Sequence, residues 1–152
     1  MALNIKIEVR GGENTLKRLR EAGVNLNDFR DELRDVGKFL VDFYQGPVFE
    51  TEGGITGERW APLKPAYEFW KRRVYPGRGI LEASGTMRRG FQFAFSSTSL
   101  RVYNLVKYFV YHQMGTRKMP SRVIFKLDEA RIREIVKIIK TGLFTRISRA
   151  LS

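Results

Sequence analysis

From Leu3 onward the chain alternates, with Leu3, Ile5, Ile7 and Val9 on one side and Asn4, Lys6, Glu8 and Arg10 on the other. That period of two predicts a half-buried strand over residues 2–10, which Gly11-Gly12 ends. A short helix is expected from Asn14 to Ala22, with Gly23 where a C-terminal glycine cap belongs. The longest helical signal covers residues 25–45, where Leu26, Phe29, Leu33, Val36, Leu40 and Phe43 recur at spacings of three and four. Asn25 or Asn27 stands where a cap would, and Gly46-Pro47 provides the stop.

Residues 46–65 read as a long, flexible connection, because Gly46, Gly53, Gly54 and Gly57 with Pro47, Pro62 and Pro65 interrupt any regular pattern. A helix from Pro65 to Arg73, a turn at Tyr75-Pro76-Gly77-Arg78-Gly79 and a brief helix over residues 80–85 follow. Phe91, Phe93 and Phe95 alternate with polar or small residues, and Leu100-Arg101-Val102-Tyr103 follows a Ser/Thr turn, which predicts a hairpin. A short helix over 106–114 ends at Gly115, and Val123-Ile124-Phe125 is expected as a last short strand. Ile132, Ile135, Val136, Ile139 and Leu143 mark a second long helix, with Ile147 extending its stripe. The expected architecture is α+β: a small mixed or antiparallel sheet, two long amphipathic helices and a long loop. At 152 residues, one domain spanning 1–152 is expected.

Composition narrows the class. The chain is 43% hydrophobic and 29% charged, which suits a folded domain with a real core. It has no cysteine, so disulfides, thiolate metal sites and a cysteine nucleophile are excluded. The first residues carry no apolar signal-peptide core and no run approaches a membrane span, so an intracellular product without membrane contact is expected. With 28 Lys+Arg against 16 Asp+Glu, the net charge of +12 favours anionic partners, either nucleic acid or acidic protein surfaces.

Catalytic signatures are scarce. The single histidine, His112, excludes two-histidine metal motifs, and no phosphate-binding glycine loop carries its lysine. Gly53-Gly54-Ile55-Thr56-Gly57 lacks both that lysine and a preceding strand, so it reads as a loop. Asp28, Asp35 and Asp42 share a helix face, but Arg34 and Lys38 interleave with them, and a solvated, salt-bridged surface is the preferred reading over a metal site. His112 has no serine or acid at a diagnostic spacing and reads as a packed or hydrogen-bonded residue. No catalytic residue, metal or cofactor is expected.

Residues 59–90 form the most basic stretch, with eight cations and two acids, interleaved with Trp60, Tyr67, Phe69, Trp70 and Tyr75. Such a mixture serves phosphate contact with base stacking, or protein association anchored on Trp, Tyr and Arg. Pro62, Pro65 and Pro76 suggest a shaped docking loop, which favours the protein interface.

An ordered series of short motifs resembles the phage virion morphogenesis family, the Mu-type tail completion proteins. Gly57-Glu58-Arg59-Trp60-Ala61-Pro62-Leu63 is similar to the family's Gly-x-x-Trp-x-Pro-Leu segment, and Leu81-Glu82-Ala83-Ser84-Gly85 to its Leu-x-x-[Ser/Thr]-Gly turn. Tyr111-His112-Gln113-Met114-Gly115 resembles its His-Gln-x-Gly core, and Pro120-Ser121-Arg122 its Pro-x-Arg. The resemblance covers about residues 25–140. It departs at Lys64-Pro65-Ala66, where relatives tend to have Ser-Pro-Thr, at Met87 in place of leucine, and at Val123 where proline is common.

The resemblance implies a non-enzymatic virion subunit, assembled in the host cytoplasm, that completes the tail or joins it to the head at the head-tail junction. It implies a self-associated ring of about six copies. Other neck, connector or tail-tube proteins would be its neighbours, with DNA passing through the ring. In that setting Trp60, Pro62, Leu63, Trp70, Arg72, Arg73, His112, Gln113 and Arg122 are the interface candidates, and Arg122 is expected to form an ion pair within or between subunits. The competing expectation is a basic nucleic-acid-binding protein acting during morphogenesis. A small nuclease is the weaker third, since no acidic cluster with a catalytic lysine or histidine stands out.

Overall fold

Leu33, Val36 and Leu40 are fully buried at three- and four-residue spacing, and the segment carrying them is the central helix of the fold. In the computed structural model, which describes residues 1–152, that segment follows strand β1 (Ala2–Lys6) and helix α1 (Glu13–Glu21) as helix α2 (Arg30–Gln45). Next come α3 (Pro47–Glu50), α4 (Pro65–Val74) and α5 (Thr86–Arg89), then the hairpin β2 (Phe91–Phe95) and β3 (Ser99–Asn104). Helices α6 (Phe109–Met114) and α7 (Glu129–Leu151) complete an α+β fold.

The sheet is antiparallel throughout, in the order β1-β3-β2. Val102 of β3 stands opposite Leu3 on one side and Phe93 on the other, so one row of apolar side chains crosses the sheet. This face lies on α2, and α7 packs on α2 as well. Helix α2 can approach β2 closely because Gly37 is a glycine: a Cβ there would stand 2.4 Å from the Phe93 ring. Tyr44, Phe91, Phe109 and Phe125 pack edge-on or stacked at the end of α2, with Phe125 4.9 Å from Tyr44 and 5.0 Å from Phe109 between ring centres.

Four expected elements differ, each because a side chain or a missing partner captures the backbone. The strand at the start is shorter than residues 2–10, because β3 begins at Ser99 and pairing ends beyond Lys6, with a last bond from Ile7 N–H to Thr98 O at 2.8 Å. The long helix starts at Arg30, not near residue 25. Asn25 Oδ1 accepts the Asn27 N–H at 2.9 Å, Asp28 Oδ1 accepts the Arg30 N–H at 3.1 Å, and Phe29 N–H is taken by Ser97 O, so side chains and the hairpin hold the turn open.

The brief helix expected over residues 80–85 is absent: Leu81 has a left-handed φ of 63°, and Ile80 N–H reaches across to Glu52 Oε1. Nor is 123–125 a strand, since both Ile124 and Phe125 donate their N–H groups to the Gln113 side chain. The connection at 46–65 contains α3 and a 3₁₀ turn at Gly54–Thr56, and Glu52 O accepts the Trp60 N–H at 2.7 Å, which folds the segment back on itself.

Candidate functional site

The Gly115 backbone has a left-handed φ of 75°, and a Cβ there would meet Ser121 N at 2.7 Å. Only glycine permits that close return. It lets residues 119–122 fold back along α6, where His112 O accepts the Arg122 N–H at 2.8 Å and Gln113 O accepts the Ser121 hydroxyl at 2.7 Å. The His-Gln-x-Gly and Pro-x-Arg segments are therefore two sides of one hairpin-like unit.

Arg122 extends this unit to a third segment. Its Nε donates to Ala61 O at 2.9 Å and a terminal nitrogen donates to Pro62 O at 3.0 Å, while only 6% of the residue is exposed. Within the subunit no ion pair forms: two backbone carbonyls, not a carboxylate, receive the guanidinium. Burial pulls this guanidinium below its ordinary pKa.

Beneath this junction lies a groove of about 510 Å³. Leu63, Leu81, Met87 and Met119 form apolar walls, and Ala83, Ser84 and Gly85 contribute a turn whose φ of 78° at Gly85 is left-handed. Lys64, Lys71, Lys118, His112 and Arg122 also line it, and none of the 16 lining residues is acidic. Lys71 is the one buried residue of α4, and its ammonium donates to Gly79 O. Burial lowers its pKa, opposed by the charges of Glu82 and Glu52. His112 faces Tyr108 edge-on, its Nδ1 is buried without a partner, and burial followed by the Arg122 charge lowers its pKa.

The remaining interface candidates separate into three sets. Trp60 is buried: its indole N–H donates to Val123 O at 2.9 Å and its ring meets Phe49 edge-on. Gln113 is buried too, bonded to the backbone of Ile124 and Phe125. Pro62 and Leu63 continue from the Arg122 contact into the groove wall, with Pro62 exposed and Leu63 half-buried. Trp70, Arg72 and Arg73 lie outside on α4, where Trp70 is 48% exposed between Tyr67 and Tyr75, Arg72 pairs with Glu68 and Arg73 lies over Phe69.

The four motif segments, spread between residues 57 and 122, thus meet around one groove. A family model described as the phage virion morphogenesis family matches residues 7–143. The chain belongs to the phage virion morphogenesis family. No curated protein and no solved structure matched it. Membership places the chain in bacteriophage virion morphogenesis, and no helix is long and apolar enough to cross a membrane.

In this phage virion morphogenesis chain the sequence reading missed Lys71, Met87, Tyr108 and Lys118 as groove residues. Lys71 carried a faint signal, standing one turn after Tyr67 on α4, but nothing distinguished it from the exposed Arg72 and Arg73 beside it. The reading also missed Glu32, buried and bonded to Arg146 at 2.8 Å, because its partner lies 114 residues away.

Proposed function

We propose that the chain is a structural tail-completion or neck subunit that self-associates into a ring of about six copies at the head-tail junction, without catalysis. Family membership supports the setting, and the observation that carries self-association is the outer face of α7. This helix turns Ile135 inward against the core, leaves Ile132 and Val136 45% and 41% exposed at the edge of the same apolar stripe, and carries Phe144, 70% exposed, on the side opposite Ile135. The far-side Phe144 and the half-exposed edge of the stripe together offer an apolar surface suited to a second partner. A neighbouring copy fits that requirement, with other neck or tail-tube proteins at the ring's edges.

The test is the mass of the purified protein by light scattering with negative-stain imaging, at low and high salt. Rings near six copies support the proposal, and Val136→Lys with Phe144→Ser should reduce them to smaller species while leaving the thermal midpoint nearly unchanged. A persistent monomer that gains mass only with DNA overturns it.

That second outcome corresponds to the nucleic-acid reading. Its specific support is α4, where Phe69 and Trp70 are exposed beside Arg72 and Arg73. Affinity for DNA on that reading falls steeply with salt.

A further inference from the structure

Two cations, Lys71 and Arg122, are buried at 4% and 6% exposure, and both line the groove under the motif junction. Neither has a carboxylate within ion-pairing distance. Lys64 and Lys118 at the rim are unpaired as well. The neighbouring acids are already engaged: Glu82 with Arg88 at 2.6 Å, Glu68 with Arg72 at 2.7 Å and Glu52 with Arg59 at 3.4 Å. Buried charges are ordinarily paired, because desolvation penalises a lone one. Glu82 and Glu52 act on Lys71 from outside the groove, but Arg122 has no acid beside it, and the groove lining as a whole carries cations and no carboxylate.

From this charge pattern and the apolar walls, we infer that the groove receives an extended acidic segment of a neighbouring protein, one that carries an aliphatic or aromatic side chain next to a carboxylate. The carboxylate meets the side of the groove lined by Arg122, Lys64 and Lys118, and the apolar side chain packs on Leu63, Leu81 and Met87. A phosphodiester would satisfy the cations and leave the apolar wall bare. The groove volume of about 510 Å³ accommodates a few residues of such a segment.

The inference stands apart from ring formation, since peptide capture is read on the protein whatever its mass. The full chain is used to select from a random-peptide display library, and the most enriched peptide is measured by fluorescence anisotropy. Enriched sequences are expected to pair Asp or Glu with a large apolar neighbour. Replacing that acid by its amide, or introducing Lys64→Glu with Lys118→Glu at the exposed rim, should each weaken binding about tenfold. The folded state of the rim variant is checked by circular dichroism. Acid-free enrichment, no enrichment, or unchanged affinity in the rim variant overturns the inference. Competition by inorganic phosphate or DNA stronger than by the peptide makes this a phosphate site and also overturns it. Loss of self-association in the rim variant without peptide capture assigns the groove to a second copy instead.

Discussion

The side chain of Gln113 holds the backbone of Phe125 from both directions. Its Nε2 donates to Phe125 O at 3.1 Å and its Oε1 accepts the Phe125 N–H at 2.9 Å, while the same oxygen accepts the Ile124 N–H at 2.8 Å. One amide thus takes the place of an adjacent strand, and it seats the Phe125 ring among Tyr44, Phe91 and Phe109. Gln113→Leu removes both functions and leaves three buried backbone groups unpaired. The expected loss is about 3–5 kcal/mol, at about 1–3 kcal/mol for each unsatisfied group with partial relaxation. Urea unfolding of the variant measures it, and a loss below about 1 kcal/mol would show that the segment re-pairs elsewhere.

Glu32 is buried 3% exposed on α2, and Arg146 of α7 reaches it at 2.8 Å while also donating to Asn25 O and lying over the Phe29 ring. Removing one partner strands a buried charge, so Arg146→Met should cost about 3–5 kcal/mol, whereas the double change with Glu32→Met should cost clearly less. A double-mutant cycle by chemical denaturation decides this, and additive losses would argue against coupling.

Gly37 gives a prediction with a sign opposite to helix propensity. Alanine is favoured over glycine within a helix by about 1 kcal/mol. Against that, the new methyl would stand 2.4 Å from the Phe93 ring, so α2 and β2 must separate. Gly37→Ala is therefore expected to lower stability by about 1–3 kcal/mol, the usual cost of overpacking. A stabilised variant in thermal melts would mean that the ring moves aside freely.

His112 makes stability depend on pH. Burial, and after it the Arg122 charge, holds the imidazole below its ordinary value of 6.5, so on acidification the unfolded chain binds the proton first. The stability present above pH 6.5 is lost as pH falls from there through the lower folded-state value. Thermal midpoints taken between about pH 5 and pH 8 should fall more steeply for the native protein than for His112→Asn. Parallel curves would place the pH dependence in the carboxylates instead.

The hydrophobic pattern of the sequence located α2, the hairpin and α7, because their apolar spacing repeats over enough residues to select one period, and Pro65 marked the start of α4. It failed where a single distant side chain decides the backbone. Gln113 replaces the strand expected at 123–125, and Glu52 with the left-handed Leu81 replaces the helix expected at 80–85. The motifs by themselves pointed to the right family. They could not separate Trp60, Gln113 and Arg122, which hold the subunit's own interior together, from Trp70, Arg72 and Arg73 on its surface.

Local periodicity, glycine and proline positions, the absence of cysteine and the excess of positive charge were fixed by the order of residues alone. The groove, the buried Glu32–Arg146 pair and the unpaired cations Lys71 and Arg122 were decided only in three dimensions. Burial and charge pairing depend on which atoms come within a few ångströms, and here those atoms belong to segments up to 114 residues apart.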